Sequence, residues 1–218
     1  MRDQFVFFGI PAPDQRRIAR EATAGLPAPS ESELERIALA CWKEEEREWQ
    51  YFACSYLRRH IRVASAGFID TARKLVTTRS WWDTVDSLAA RTVGPLVSAH
   101  PELVLVMDEW IGSDDIWLAR TAILHQLHYR QDTDARRLFA YCLRRSSDKE
   151  FFIRKAIGWA LREYTKTDEQ AVRRFLSERG RELSGLSRTE ALKWLERRAR
   201  SHRPQTTRPP RGRRSRTD

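Results

Sequence analysis

The stretch Ser113-Asp114-Asp115-Ile116-Trp117-Leu118-Ala119-Arg120-Thr121-Ala122-Ile123 returns 34 residues later as Ser147-Asp148-Lys149-Glu150-Phe151-Phe152-Ile153-Arg154-Lys155-Ala156-Ile157. Both copies read Ser-Asp-x-x-aromatic-apolar-x-Arg-x-Ala-Ile. Going upstream, Trp82 and Trp49 stand where the aromatic stands, so the series Trp49, Trp82, Trp117, Phe151 is spaced by 33, 35 and 34 residues. Around these positions apolar residues recur at helical intervals. Leu34, Ile37, Ala38 and Cys41 follow the cap-competent Ser30 and Ser32; Trp49, Phe52, Ala53, Tyr56 and Leu57 form a second stripe; Phe68, Ile69, Ala72, Leu75 and Val76 form a third. The same reading predicts helices over 82–91, 101–110, 116–129, 134–144, 149–164, 168–179 and 187–200, with Pro101 suited to a first turn. No sustained period-2 alternation and no Asn-Gly or Asp-Gly turn competes. A helical repeat of this length is a helix pair that cannot cover its own apolar faces, so pairs must stack. The expected architecture is all-α: a curved solenoid of HEAT-like antiparallel helix pairs with a concave face.

Composition sets the outer limits. The 218 residues carry 40 Lys plus Arg against 30 Asp plus Glu, for a net charge of +10, with 41% hydrophobic residues and 8 Trp. That excludes collagen-like and wholly disordered chains and predicts a sizeable core. The longest apolar run, Leu103 to Met107, is far too short to span a bilayer, and the N-terminal run Phe5 to Phe8 is too short for a signal peptide, so a soluble cytoplasmic protein is expected. Cys41, Cys54 and Cys142 are odd in number and widely spaced, as reduced core thiols would be. Half of the charge lies at the end of the chain, where residues 203–218 hold six arginines against Asp218 and no Leu, Ile, Val or Phe. A domain over 1–202 followed by a disordered basic tail is expected, the tail serving either as a solubilising terminus or as an arm that adds affinity for nucleic acid.

Nucleotide-cradling glycine motifs, His-Glu-x-x-His and Cys-x-x-Cys are missing, which removes the usual nucleotide and zinc chemistries. His125 and His128 are three apart with no third ligand close in sequence, and a solvated or packed pair accounts for them. The unusual segment is Ser80-Trp81-Trp82-Asp83-Thr84-Val85-Asp86. Trp82 and Asp86, at i and i+4, project from one helix face a turn apart. An acid on a basic, DNA-sized inner face opposes phosphate binding; beside an aromatic ring it suits stabilising a developing cation or holding water. The alternative is that both tryptophans are core and that Asp83 or Asp86 caps the helix. Arg120 and Arg154 share a repeat slot from which each could reach a phosphate. Gly158, in mid-helix beside Trp159, costs about 1 kcal/mol against Ala and so points to close approach of a backbone or ligand.

These segments, with Phe5 to Pro13 (Phe-Val-Phe-Phe-Gly-Ile-Pro-Ala-Pro), resemble the signature segments of the AlkD-like DNA alkylation repair family over about residues 2–198. The resemblance implies a HEAT-like-repeat, monofunctional DNA glycosylase that releases cationic N3- and N7-alkylated purines from double-stranded DNA. It implies an enzyme that needs no cofactor and extrudes no base into a pocket; a monomer without a metal, in the bacterial cytoplasm or nucleoid, is also expected. The resemblance puts Trp82 and Asp86 on the family's catalytic Trp and Asp, Trp159 on a second sugar-facing Trp, and Arg120 on a phosphate-contacting Arg; apart from the resemblance, Arg154, in the same repeat slot as Arg120, and Trp81 are also expected to contact DNA. Relatives usually have a helix ahead of the Phe-x-Gly-Ile segment, so a missing or truncated first helix is also expected. A non-catalytic HEAT-like DNA-binding or scaffold protein, in which Trp82 and Asp86 are structural, is the competing reading.

Overall fold

The computed structural model describes residues 4–201, and side chains as far as Arg198. The basic tail expected over 203–218 lies outside the described residues. The chain runs through α1 (Ala12–Ala22), α2 (Glu31–Lys43), α3 (Arg47–His60), α4 (Phe68–Thr77), α5 (Trp82–Leu88), α6 (Gly94–Ala99), α7 (Val104–Trp110), α8 (Ile116–Leu124), α9 (Ala135–Arg144), α10 (Phe151–Thr165), α11 (Glu169–Arg179) and α12 (Gly185–Ser201). Among the described residues there is no strand, only an isolated bridge between Val6 and Glu46. The protein is all-α and solenoid-like.

Local chemistry fixes the helix starts. Ser30 and Glu33 form a reciprocal capping box, each side chain satisfying the other's backbone N–H. Asp115 accepts from the N–H groups of Trp117 (2.8 Å) and Leu118 (3.3 Å), and Asp134 and Asp168 cap α9 and α11 in the same way. The second copy of the repeat caps differently. Glu150 at the start of α10 caps nothing, and Asp148 accepts from the Glu150 N–H at 2.8 Å instead.

Helices α3, α5, α8, α10 and α12 pack one on the next to form a continuous row, and α2 packs on both α3 and α4. The period of the sequence is visible in the bonds between layers. Trp42 Nε1 donates to the Thr78 carbonyl, Ser65 Oγ to Glu31, Thr71 Oγ1 to Glu35, Tyr129 Oη to the Gly94 carbonyl, and Ser187 Oγ to the Arg154 carbonyl. These partners are separated by 33 to 36 residues. Leu34, Ala53, Leu57, Ala72, Leu75, Leu88, Ala119, Ala122, Ile153 and Ile157 make one apolar core through the row. The three cysteines are buried and free, and burial pushes Cys54 and Cys142 up to about 12. No helix among the described residues is long and apolar enough to cross a membrane.

Gly158 is explained by backbone: a Cβ there would come within 2.7 Å of the Ser187 carbonyl and 2.4 Å of Glu190 Cβ on α12. Beside it, Glu190 is held by Lys155, Arg162 and Lys193, which lower its carboxyl to about 2.

Several helix predictions differ from the observed elements for physical reasons. The helix predicted over 82–91 is α5 followed by a π turn, Ala89–Val93, that leads directly into α6. Pro95 has no N–H for the Arg91 carbonyl, and the widened turn accommodates its ring. The helix predicted to reach Tyr129 stops at Leu124, and the turn after it ends at Arg130, whose φ of 55° is left-handed. Helix α1, which was not predicted, buries no residue and starts after Pro11. Ahead of it, Phe5 to Ile10 is strapped to α3. Arg47 donates its backbone N–H to the Val6 carbonyl, and the Glu48 carboxylate accepts from the N–H groups of Phe8, Gly9 and Ile10 at 2.9–3.2 Å. Gly9 has φ of +83°, which lets three successive donors converge on one carboxylate.

Candidate nucleic-acid interface and acidic centre

Helix α5 opens on the paired tryptophans, and the two rings have different surroundings. Trp82 is 44% exposed. Trp81 turns inward, with its ring 6.0 Å from Trp117 and 5.1 Å from Phe152, and its indole N–H is buried without an acceptor. Trp81 is half-buried against these rings and Trp82 is exposed, so neither is a fully buried core residue. Trp49 was also expected in a buried stripe. It is 41% exposed and lies edge-on to Phe8, because the strap rather than the core faces it.

Neither Asp83 nor Asp86 caps α5, whose first turn has no side-chain acceptor. Each pairs instead with an arginine from a neighbouring helix of the row. Asp86 receives Arg120 in a two-point arrangement, Nε to Oδ1 at 2.7 Å and Nη2 to Oδ2 at 2.9 Å, while Nη1 donates to the Phe152 carbonyl. Arg120 is 4% exposed, and its guanidinium serves Asp86. The phosphate contact expected of Arg120 has little room in this geometry, since each of its three nitrogens donates one bond within the protein and the side chain is almost fully buried. Burial pushes the Asp86 carboxyl above the ordinary aspartate range, with Asp83 adding to the effect and the Arg120 bonds opposing it. The Asp86 side chain keeps 13% of its surface open to solvent.

The other predicted site residues are more dispersed. Arg154 occupies the Arg120 slot one repeat later but cannot repeat its pairing, because the residue 34 positions before it is Arg120 itself; its Nε donates to the Asp148 carbonyl at 2.8 Å. Trp159 is partly buried against the core on α10, two turns beyond Phe152. Among the described residues no hydrogen bond or ring contact ties Trp159 to Trp82 or Asp86. Among the described residues no group of three or more His, Cys, Asp or Glu could hold a metal ion. His125 is buried, with Nδ1 2.7 Å from the Ala122 carbonyl, and burial lowers it to about 4.

Sequence reasoning missed Arg47. It is fully buried, donates to Asp83 through Nε (3.1 Å) and Nη2 (2.7 Å), to Gln50, to the Arg79 carbonyl and to Thr84, and lies 3.8 Å from the centre of the Phe5 ring. Tyr51 completes the cluster by donating to Asp83 at 2.6 Å. The only available signal was the separation of 36 between Arg47 and Asp83, close to the repeat period.

The segments that carried the family resemblance thus lie on the stacked helices α5, α8 and α10, with the exposed Trp82 one turn from the shielded Asp86. The sequence model of the DNA alkylation repair enzyme family matches residues 1–195. The chain belongs to the DNA alkylation repair enzyme family. A solved structure described as a predicted DNA alkylation repair enzyme from Enterococcus faecalis is similar to it at 29% identity, with a TM-score of 0.80 over 89% of this chain and 90% of that one. No curated protein matches the chain. As a member of this family the protein has a role in repair of alkylated DNA, with DNA as its substrate.

Proposed function

We propose that the protein is a monofunctional DNA glycosylase that hydrolyses the N-glycosidic bond of cationic N3- and N7-alkylated purines in duplex DNA. The observation that carries this reading is the Asp86 carboxylate, largely shielded and held in two-point contact by Arg120 one helical turn from the exposed Trp82. An N-alkylated purine already bears positive charge. When its bond to C1′ breaks, the electron pair leaves with the base, which departs neutral, so little general acid help is needed. Cationic character passes to the deoxyribose. Asp86 stabilises that charge and orients a water, whose oxygen bonds to C1′ and whose proton passes by way of Asp86 to solvent. The Trp82 face covers the sugar, where the attraction between a cation and an aromatic ring favours the transition state, and Trp159 flanks it from α10. In this reading Arg120 is the residue that positions Asp86, while Arg154 and Trp81 border the DNA-facing side. The stack of HEAT-like pairs supplies a concave surface that reads backbone and sugar, and no base pocket is required.

The test is release of free base from duplex containing 7-methylguanine, with binding of the same duplex measured in parallel. Asp86→Asn is expected to lower release by about 100- to 1000-fold while leaving duplex affinity within about twofold, since no phosphate contact is removed. Equal loss of release and binding, or full release by the variant, overturns the assignment.

A further inference from the structure

The π turn that interrupts α5 and α6 carries Arg91, about a turn and a half beyond Asp86 along the same helix. That turn packs against both α3, which ends near Arg58, and α8, which leads into His128 and Arg130. The approach to α8 is unusually close: a Cβ on Gly94 would fall 2.3 Å from the His125 carbonyl oxygen. Tyr129 locks it by donating to the Gly94 carbonyl at 2.7 Å, so the residues on either side of Tyr129 are fixed beside the Arg91 segment. Arg58, Arg91, His128 and Arg130 are all exposed, and their charges repel: Arg58 acts on Arg91, and Arg58, Arg91 and Arg130 all act on His128.

This clustering runs against the pattern elsewhere on the surface. Arg17 pairs with Glu21, Arg137 with Asp108 and Arg179 with Glu182, and these carboxylates raise the proton affinity of their arginines. Arg91 goes the other way, lowered by partial burial and by Arg58. Among the described residues no carboxylate pairs with Arg58, Arg91 or Arg130. The one acid that acts on His128, Glu163 of α10, is bonded to Lys166 at 2.6 Å. Arg130 adds a strained backbone at φ 55°, and both π turns and left-handed non-glycine residues collect at functional sites. An anion placed among these groups relieves the repulsion that the free protein bears.

We propose that Arg58, Arg91, His128 and Arg130 form a phosphate-binding station for the DNA backbone, built from three successive layers of the row, and that it grips more tightly when His128 gains its proton. The station holds a phosphodiester by charge, reads no base, and sets the register of the duplex relative to Asp86. It rests on DNA being the substrate and not on the role given to Asp86.

Affinity of the full chain for a short undamaged duplex, followed by fluorescence anisotropy across a salt series, tests the station. The double variant Arg58→Gln/Arg91→Gln is expected to bind about tenfold more weakly near 0.1 M salt and to flatten the slope of log affinity against log salt by about 2. Wild-type binding tightens as pH falls from about 8 to about 5.5, and His128→Gln loses that increment while binding at pH 8 stays within about twofold. The substituted side chains are exposed, and an unchanged helical circular dichroism spectrum shows that the variants fold. An unchanged slope in a double variant beside a wild type that binds overturns the station and leaves the glycosylase reading standing. A pH response that survives His128→Gln removes the proton-dependent part. A wild type that fails to bind duplex overturns both proposals.

Discussion

Asp83 and Asp86 lie three residues apart on α5, and each receives an arginine through two bonds, yet the two pairs are built for different ends. Asp83 faces back toward α3. There Arg47 and Tyr51 occupy its oxygens, Thr84 and the Arg79 carbonyl take further Arg47 donors, and the Phe5 ring closes the guanidinium from above. Asp86 faces forward toward α8 and has Arg120 alone. Burial raises its carboxyl, because the two Arg120 bonds only partly offset the loss of water. A charge pair whose carboxylate accepts three bonds within the protein specifies how two layers sit together. One left with unused acceptor capacity beside an exposed tryptophan retains something to offer a ligand.

The sharpest way to break this comparison is to remove one arginine from each pair. Arg47→Met leaves Asp83 buried beside Thr84 and Tyr51 without a counter-charge. It is expected to cost about 3–5 kcal/mol in urea unfolding, a fall in Tm of roughly 10 °C for a domain of this size. A loss below about 0.5 kcal/mol, as at an ordinary surface arginine, would show that the sealed pair is not structural. Arg120→Gln acts mainly on chemistry. In the proposed mechanism base release needs the Asp86 carboxylate ionised, so the rate is expected to fall as pH drops through its titration, with an acid limb above that of an ordinary aspartate because burial raises the carboxyl. Losing Arg120 removes the groups that pull the carboxyl down. The limb then moves to still higher pH, and the single-turnover rate near neutrality is expected to drop about tenfold. A pH profile identical to wild type would separate Arg120 from Asp86 function. The smallest effect is expected from Trp81→Phe. The indole N–H has no acceptor to lose, and the contacts with Trp117 and Phe152 survive in large part, so unfolding free energy should change by less than about 1 kcal/mol.

The helix stack was legible because its signal is long-range and redundant: a period near 34 in the aromatic and arginine positions predicts bonds between residues 33 to 36 apart, and Trp42 to Thr78, Thr71 to Glu35 and Ser187 to Arg154 supply them. Gly158 was legible for the same kind of reason, since a glycine in mid-helix is costly unless something must come close, and α12 does. Asp86 stood out as an acid against a basic background. Arg47 did not stand out, because one arginine in a helix of mixed charge looks like a solvated face until the neighbouring layer covers it. The π turn was hidden as well. Periodicity measures an average of about 3.6 residues per turn, and one widened turn ahead of Pro95 shifts it too little to register.

The sequence by itself determined that the chain is helical, that its helices come in pairs on a 34-residue period, and which residues belong to the family's signature segments. These are properties of local pattern and of repetition, and each can be counted along one dimension. Tertiary structure alone decided which charges meet. Arg120 and Arg154 occupy the same slot in the repeat, but the residue one layer back is Asp86 for the first and Arg120 for the second. Identical motifs therefore acquire different electrostatic partners. Pairing depends on what the preceding layer presents across the interface, and burial there decides how strongly each charge needs its partner.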